Sequence, residues 1–136
     1  MCIRVRVILA EEGVFDELDV AMMVHPADIT AKSGTSMALY PLQFTYKGKT
    51  AHAASCPEKG INALNSVIQL FNGIDALRQH VTPDVKMHGI ITKGGVAANI
   101  VPDEAVADFY FRASTKERVT EVIEKVKKIY EWRIYA

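Results

Sequence analysis

The chain has 136 residues, of which 49% are hydrophobic and 24% are charged, and its 16 basic side chains balance 16 acidic ones. This composition is ordinary for a single globular domain and argues against disorder. A net charge of zero disfavours nucleic acid or an anionic membrane as a partner. The two cysteines, Cys2 and Cys56, have no metal-ligand or redox spacing, so we expect a reducing, cytoplasmic environment.

The N-terminal part of the chain carries two short apolar runs separated by charged residues. Residues 1–10 are too short for a secretory signal or a membrane span, and they predict a strand or the start of a helix. Residues 20–24 (VAMMV) are apolar without alternation, which predicts a strand buried on both faces. Pro26 ends that run and leaves His25 at its carboxyl end, where open sheets often place ligand-binding groups.

From residue 38 onward the periodicity is regular. Residues 40–47 alternate between apolar and polar side chains and predict a half-buried strand, and residues 85–92 and 104–112 predict two more. In the last of these strands, the residues expected to face the core are Ala105, Ala107, Phe109 and Phe111. Residues 60–79 have helical periodicity, and a close helix–sheet approach would explain Gly73. The apolar stripe predicted for this helix consists of Ile61, Leu64, Val67, Ile68, Phe71, Ile74 and Leu77. A second helix is predicted after a capping box at Ser114 and Glu117, and its apolar stripe consists of Val119, Val122, Ile123, Val126 and Ile129.

The order of these elements predicts the fold class. The predicted order is strand, helix, strand, strand, helix and a possible last strand at residues 130–135. This is the order of the α+β, ferredoxin-like split βαβ sandwich, in which two helices cover one face of an antiparallel sheet. The uncovered face and the edge strand that carries Tyr40 and Tyr46 are candidate dimer surfaces.

Three polar side chains are candidates for chemistry, and we expect the fold to bring them towards one side. His52 follows the first strand among small residues, and it could donate a hydrogen bond to an oxyanion. Asn99 offers both a donor and an acceptor, and Arg112 could hold a carboxylate through two parallel N–H bonds. Together they suit an N-acylated amino acid or a small peptide, although each residue also fits an ordinary surface role.

Other kinds of chemistry have weaker support in the sequence. The four histidines lack the spacing of a two-histidine helix site. Glu11 and Glu12 could supply a general base and a metal ligand, but an acidic pair beside a short loop is more often only solvated. Cys56 has no recognisable orienting partner, and the phosphate-loop and dinucleotide-binding glycine patterns do not occur.

Several motifs carry a family resemblance. They are residues 48–54 (GKTAHAA), 57–63 (PEKGINA) and 94–102 (GGVAANIVP), together with Phe111 and Arg112. They resemble the zinc-dependent amidohydrolases and peptidases of the aminoacylase and carboxypeptidase G type, from about residue 13 to residue 129. Residues 19–26 (DVAMMVHP) are most similar to the branch that hydrolyses N-acyl amino acids and aminobenzoyl-glutamate.

The resemblance implies a part of an enzyme. Residues 38–136 correspond to the ferredoxin-like lid or dimerisation domain, and residues 1–37 correspond to a remnant of the catalytic domain, so we expect a truncated or engineered piece that is inactive alone. The resemblance gives His52 the role of stabilising the tetrahedral intermediate in the partner subunit of a homodimer. It also implies substrate contacts for Asn99 and Arg112, and it places His25 at a ligand position for zinc.

The same resemblance bears on the acidic pair. Residues 10–13 locally resemble the family's acidic motif, whereas residues 13–19 match a later point, just before the strand that leads to His25. The second alignment is preferred, and it makes Glu11 and Glu12 ordinary charges at a helix end. A different class of function also fits the fold, namely a self-contained ferredoxin-like dimer that binds a small amino acid derivative through His52, Asn99 and Arg112.

Overall fold

The protein was analysed as a computed structural model that describes the chain except for residues 1, 2, 23, 25, 27, 33 and 132–136. The contacts divide the chain into two units, Met1–Gly34 and Thr35–Ala136, and each is described by itself. The assignment of residues 1–37 to a remnant of a catalytic domain and of 38–136 to a lid domain stays a prediction.

The first unit contains one helix, α1 (Ile3–Glu11), so residues 1–10 follow the helical alternative of the two that the sequence allowed. Gly13, with φ of 72°, turns the chain after the helix. The expected buried strand at residues 20–24 is wrong for the residues described there. Val20, Met22 and Val24 are 70%, 93% and 96% exposed and lie in no strand. An apolar run becomes a buried strand only when neighbouring strands cover it, and the described part of this unit provides none.

The second unit is built on a three-stranded antiparallel sheet in the order β1 (Ala38–Lys47), β3 (Glu104–Ala113), β2 (Lys86–Lys93). The three strands predicted from the sequence are confirmed. β3 runs down the centre, pairing Ala38 with Ala113 at one end and Lys47 with Glu104 at the other. Of the proposed last strand at residues 130–135, the first two residues continue a helix and the others lie outside the described residues.

Two helices cover one face of this sheet, α2 (Ala63–Leu77) and α3 (Lys116–Glu131), and the α+β, ferredoxin-like arrangement is thereby confirmed. Single 3-10 turns, Pro57–Lys59 and Arg78–His80, flank α2, so the helix is shorter than the predicted 60–79. Asn62 caps α2, because its side-chain oxygen accepts hydrogen bonds from the backbone N–H groups of Leu64 and Asn65 at 2.9 and 3.3 Å.

The start of α3 differs by one residue from the predicted capping box. The hydroxyl of Thr115, and not that of Ser114, accepts a hydrogen bond from the Arg118 N–H at 3.3 Å. Ser114 instead donates through both its N–H and its hydroxyl to the carboxylate of Asp84, at 3.1 and 2.6 Å. Ser114 therefore links the end of β3 to the loop before β2, and Thr115 begins the helix.

The core lies between the helices and the sheet. The alternate residues of β3 that were predicted to face it, Ala105, Ala107, Phe109 and Phe111, are at most 1% exposed. The predicted stripe of α3 is also confirmed, with Ile129 partly buried at its edge. The stripe of α2 is shifted, because Ala63 and Leu70 are buried whereas Ile61 and Ile68 are 53% and 43% exposed.

Tyr46 belongs to the packed layer rather than to an open edge. Its ring lies 5.1 Å from that of Tyr130 on α3, and burial, with a smaller effect of Tyr130, raises the pKa of its hydroxyl to about 12. Tyr40 is 44% exposed. The two tyrosines thus do not form the continuous hydroxyl-rich edge that the sequence suggested. None of the helices within the described residues has the length and apolar character needed to cross a membrane.

Candidate functional site

The loop that follows β1 is held by backbone hydrogen bonds on both of its sides. On one side, Lys49 and Ile61 exchange two N–H···O bonds of 2.9 Å. On the other side, Gly48 donates to the carbonyl of Asp103 at 2.7 Å, and Val101 donates to that of Ala51 at 2.9 Å. We call residues 48–53, with their partners 60–63 and 99–103, the histidine platform. Because these hydrogen bonds satisfy backbone groups on both sides of the loop, the platform presents His52 from a defined position.

Two glycines allow the platform strands to approach each other. A Cβ at Gly48 would clash with the backbone carbonyl oxygen of Ile61. A Cβ at Gly60 would lie 3.0 Å from the side chains of both Ala51 and Val101. The role of Gly48 in the structure is therefore to permit close contact with a neighbouring backbone.

The ring of His52 is exposed, and its orientation is fixed by its own turn. Nδ1 accepts hydrogen bonds from the backbone N–H groups of Ala54 and Ser55 at 3.3 and 3.2 Å, and the His52 carbonyl accepts one from Cys56 N–H at 3.1 Å. Because Nδ1 acts as the acceptor, the neutral ring carries its proton on Nε2. The side chain therefore offers one N–H donor, which is the group needed to stabilise an oxyanion.

Asn99 lies beside His52, as the sequence predicted. The Asn99 carbonyl accepts a hydrogen bond from Ala53 N–H at 3.0 Å, and His52 forms an antiparallel bridge with Ile100. The side chain of Asn99 is exposed. The imidazole of His52 and the side-chain amide of Asn99 are thus attached at neighbouring positions of the histidine platform.

Arg112 lies elsewhere, and the expected grouping of all three residues within one chain is wrong. Arg112 pairs with Leu39 and Lys86, at the end of the sheet opposite to the Lys47–Glu104 pair that precedes the platform. The eight residue steps from Glu104 to Arg112 span roughly 26 Å at the usual rise of a strand. The physical reason is simple: β3 is antiparallel to β1, so the end of β3 lies next to the start of β1.

The predicted metal ligand His25 lies outside the described residues. Among the residues that the structure does describe, no group of three or more histidine, cysteine, aspartate or glutamate side chains could hold a metal ion. The donor set visible here therefore does not fit a zinc site. Glu11 is the last residue of α1 and Glu12 follows it, which agrees with the interpretation of this pair as charges at a helix end.

Sequence reasoning missed the partners that build the platform. Ile61, Val101 and Asp103 act through backbone atoms, which leave no signature in side-chain patterns. It also missed Asn62, although asparagine before an apolar periodic run is a recognisable helix cap. An open groove at the start of β2, lined among others by Val81, Lys86 and His88, includes none of the three predicted site residues.

Comparison with known proteins identifies the family of this domain. Residues 41–134 match the family described as the peptidase dimerisation domain. Over 122 residues the chain is 35% identical to human Xaa-Arg dipeptidase, and the match covers 90% of this chain and 28% of that protein. It is 32% identical over 125 residues to a p-aminobenzoyl-glutamate hydrolase subunit of Escherichia coli K12, covering 90% of this chain and 26% of that one.

Solved structures agree with the fold. The aminobenzoyl-glutamate utilization protein of Klebsiella pneumoniae superposes with a TM-score of 0.60 at 24% identity, over 69% of this chain and 24% of that chain. A hydantoinase/carbamoylase family amidase of Burkholderia ambifaria gives 0.62 at 14% identity, over 71% and 24%. The chain thus spans less than a third of the length of these curated relatives and solved structures. With two thirds of its residues matching that family, and the expected sheet and helices present, the chain belongs to the peptidase dimerisation domain family.

Proposed function

We propose that this chain is the dimerisation domain of a metal-dependent, cytoplasmic amidohydrolase that cleaves the amide bond of N-acyl amino acids or small peptides. His52 donates from Nε2 to the developing oxyanion, Asn99 contacts the substrate, and Arg112 binds the substrate carboxylate. The observation that carries this proposal is the placement of His52 and Arg112 at opposite ends of one sheet. A single copy cannot bring both to one substrate, whereas two copies can.

Antiparallel pairing of two copies through β2 would bring these ends together. β2 runs from Lys86, beside Arg112, to Lys93, near the histidine platform, and among the described strands it pairs only with β3. A twofold axis across this edge aligns Lys86 of one copy with Lys93 of the other. Arg112 of one copy then lies at the same end as His52 and Asn99 of its partner, and a symmetric dimer has two such composite sites.

Exposed apolar side chains support this edge as the contact. Ile90 and Ile91 on β2 are 64% and 43% exposed, and Ile68 on α2 is 43% exposed. Ile68 lies on the flank of α2 away from α3, because Gly73, about 140° around the helix, faces Ile129. An edge strand and an adjacent helix flank that both carry apolar residues are typical of a symmetric interface.

The rest of the enzyme would supply the metal site. When bound, zinc polarises an amide carbonyl and activates water. We propose that His25 contributes one ligand and that the other ligands belong to a catalytic domain outside this chain. The first unit supports this, because Val14, Phe15 and Leu18 are 56%, 44% and 56% exposed and need a covering surface. The competing idea of a self-contained dimeric binding module has less support, since the family that residues 41–134 match is described as a peptidase dimerisation domain.

A subunit-complementation experiment tests the composite site in the full-length polypeptide that carries this domain. We expect His52→Ala and Arg112→Gln each to reduce hydrolysis of an N-acyl amino acid by at least about 100-fold, because each removes a group that contacts the reacting substrate. Mixing the two variants under conditions that exchange subunits should restore about a quarter of the wild-type activity, since half of the dimers are mixed and each regains one intact site.

The outcome depends on which copy supplies each group. If His52 and Arg112 acted within one copy, every site in the mixed dimer would lack one of them and no activity would return. Mixing His52→Ala with Asn99→Ala is the matched control, because both residues lie on the same platform. If Asn99 acts together with His52 from the same copy, every site in that mixture lacks one of the two groups, and no activity should return.

A further inference from the structure

The carboxylate of Glu104 connects the strand ends from which the two loops of the histidine platform begin. Glu104 is the first residue of β3, and its Oε2 accepts from Lys47 Nζ at 2.8 Å and from Lys93 Nζ at 3.2 Å. Lys47 is the last residue of β1 and Lys93 is the last residue of β2. The three charges therefore lie across the sheet on all three strands, at the end where the loops to His52 and Asn99 begin.

The local register explains how Lys93 reaches this carboxylate. The β2–β3 pairing shifts between Ile91 and Lys93, which places Lys93 opposite Val106, two residues from Glu104. Bulges of this kind bend a strand and re-aim its side chains. Without the shift, Lys93 would lie opposite Ala105, on the face of the sheet that packs against the core, whereas Val106 and Glu104 lie on the other face.

We infer that Glu104 is a positioning residue that holds the loops of His52 and Asn99 at a fixed separation. The inference rests on the function proposed above. The side chain of Glu104 is 27% exposed, whereas those of Lys47 and Lys93 are 70% and 48% exposed, so the carboxylate is the most sheltered member of the triad. The platform bonds Ala53 N–H to Asn99 O and Val101 N–H to Ala51 O join the same two loops further out.

Electrostatics agree with this geometry. Hydrogen bonds from Lys47 and then Lys93 hold the pKa of the Glu104 carboxyl below its ordinary value, so the group stays ionised through the neutral range. A surface ion pair contributes little to global stability. We therefore expect the ion pairs of Glu104 to affect the opening of the two loops rather than the free energy of unfolding of the whole domain.

Amide hydrogen exchange on this chain tests the inference without any substrate. In Glu104→Gln, which keeps the size but removes the charge, we expect the amides of Ala53 and Val101 to exchange roughly two- to fivefold faster, in line with the loss of surface ion pairs. The core amide of Phe109 and the urea midpoint should not change. Glu124→Gln is the matched control, because it breaks a 2.7 Å pair with Lys127 on α3, away from the platform.

Two results would overturn the inference. One is unchanged exchange at Ala53 and Val101 in Glu104→Gln, and the other is an equal acceleration of platform and core amides, which would indicate a general effect on stability. Lys93→Met provides a second variant that removes one partner and leaves Glu104 intact, and it should accelerate the same two amides to a smaller extent. Exchange reports on the loops and complementation reports on the composite site, so failure of one is distinguishable from failure of the other.

Discussion

Gly73 on α2 faces Ile129 on α3 so closely that a Cβ at Gly73 would lie 2.5 Å from Ile129 Cγ2. The glycine in the middle of α2 therefore permits an approach between the two helices. The sequence suggested a helix–sheet approach at this position, and the structure corrects the partner. Because Cγ2 is fixed to a branched Cβ, Ile129 cannot move away by rotating the end of a long side chain.

Gly73→Ala should consequently destabilise the domain even though alanine is the better helix former. Overpacking costs about 1–3 kcal/mol and the gain in helix propensity is about 1 kcal/mol, so we expect a net loss of about 1 kcal/mol in urea unfolding. In the Ile129→Ala background, the same substitution should be neutral or stabilising. A gain in stability from Gly73→Ala in the wild-type chain would contradict the close helix contact.

Asp84 should make the free energy of unfolding decrease as the pH becomes acidic. The Ser114 hydroxyl, the Thr82 hydroxyl at 2.5 Å and the Ser114 N–H all donate to its carboxylate and hold its pKa below the ordinary value of 3.8. A depressed pKa adds stability that is complete above pH 3.8 and is lost as the pH falls towards the folded-state pKa. Asp84→Asn should lower the urea midpoint at neutral pH and approach the wild type below pH 3.8.

The control for this prediction is Asp103→Asn, which changes the exposed side chain of an aspartate that takes part in the histidine platform through its backbone carbonyl. We expect it to leave the neutral-pH midpoint close to that of the wild type. The role of Asp84 would be refuted if both variants lost the same stability, or if the difference between Asp84→Asn and wild type stayed constant down to the lowest pH.

The proposed dimer edge can be tested at Ile90. A lysine on an edge strand opposes pairing with another strand, so Ile90→Lys should sediment as a monomer at concentrations where the wild-type chain is dimeric. Ile61→Lys is the matched control, because Ile61 is 53% exposed and lies on the β1 side of the platform. Equal dissociation of both variants, or a dimer that tolerates Ile90→Lys, would exclude β2 as the contact.

Removal of residues 1–34 should leave the second unit folded. Within the part of the chain that the structure describes, the residues of the hydrophobic core and the side chains packed against it lie between Ala38 and Tyr130. We expect the shortened chain to keep its thermal midpoint within a few degrees and to bind less of a hydrophobic dye, since Met22 and Val24 are almost fully exposed. A large fall in the midpoint would show that the first unit contributes to the core.

Much of the second unit could be predicted from local pattern. Alternation along β3 identified four of its five core-facing residues, because a strand with one buried face leaves a period of two in the sequence, and it missed Ala113 at the strand's end. The stripe of α3 was equally clear. The stripe of α2 was less certain, since seven apolar residues wrap around more than one face and only packing decides which of them is covered.

The errors concern relations between distant segments. Residues 20–24 have the composition of a buried strand, but burial depends on neighbours that the described part of the first unit does not contain. His52 was predicted to follow the first strand and Arg112 to end the third, and the two were grouped on that basis. The antiparallel order that the sequence predicts is sufficient to place those two strand ends apart.

The histidine platform is joined mainly through backbone atoms, and this has a consequence for variation among related sequences. The side chains of Lys49 and Thr50 take no part in these backbone hydrogen bonds and are exposed, so we expect substitutions there to leave the platform in place. Gly48 cannot be replaced in this way, since a Cβ there would clash with the carbonyl oxygen of Ile61, and a larger residue at Gly60 would press on the side chains of Ala51 and Val101. The loop can therefore acquire new residues around the imidazole, and with them new substrate preferences, while the position of His52 is retained.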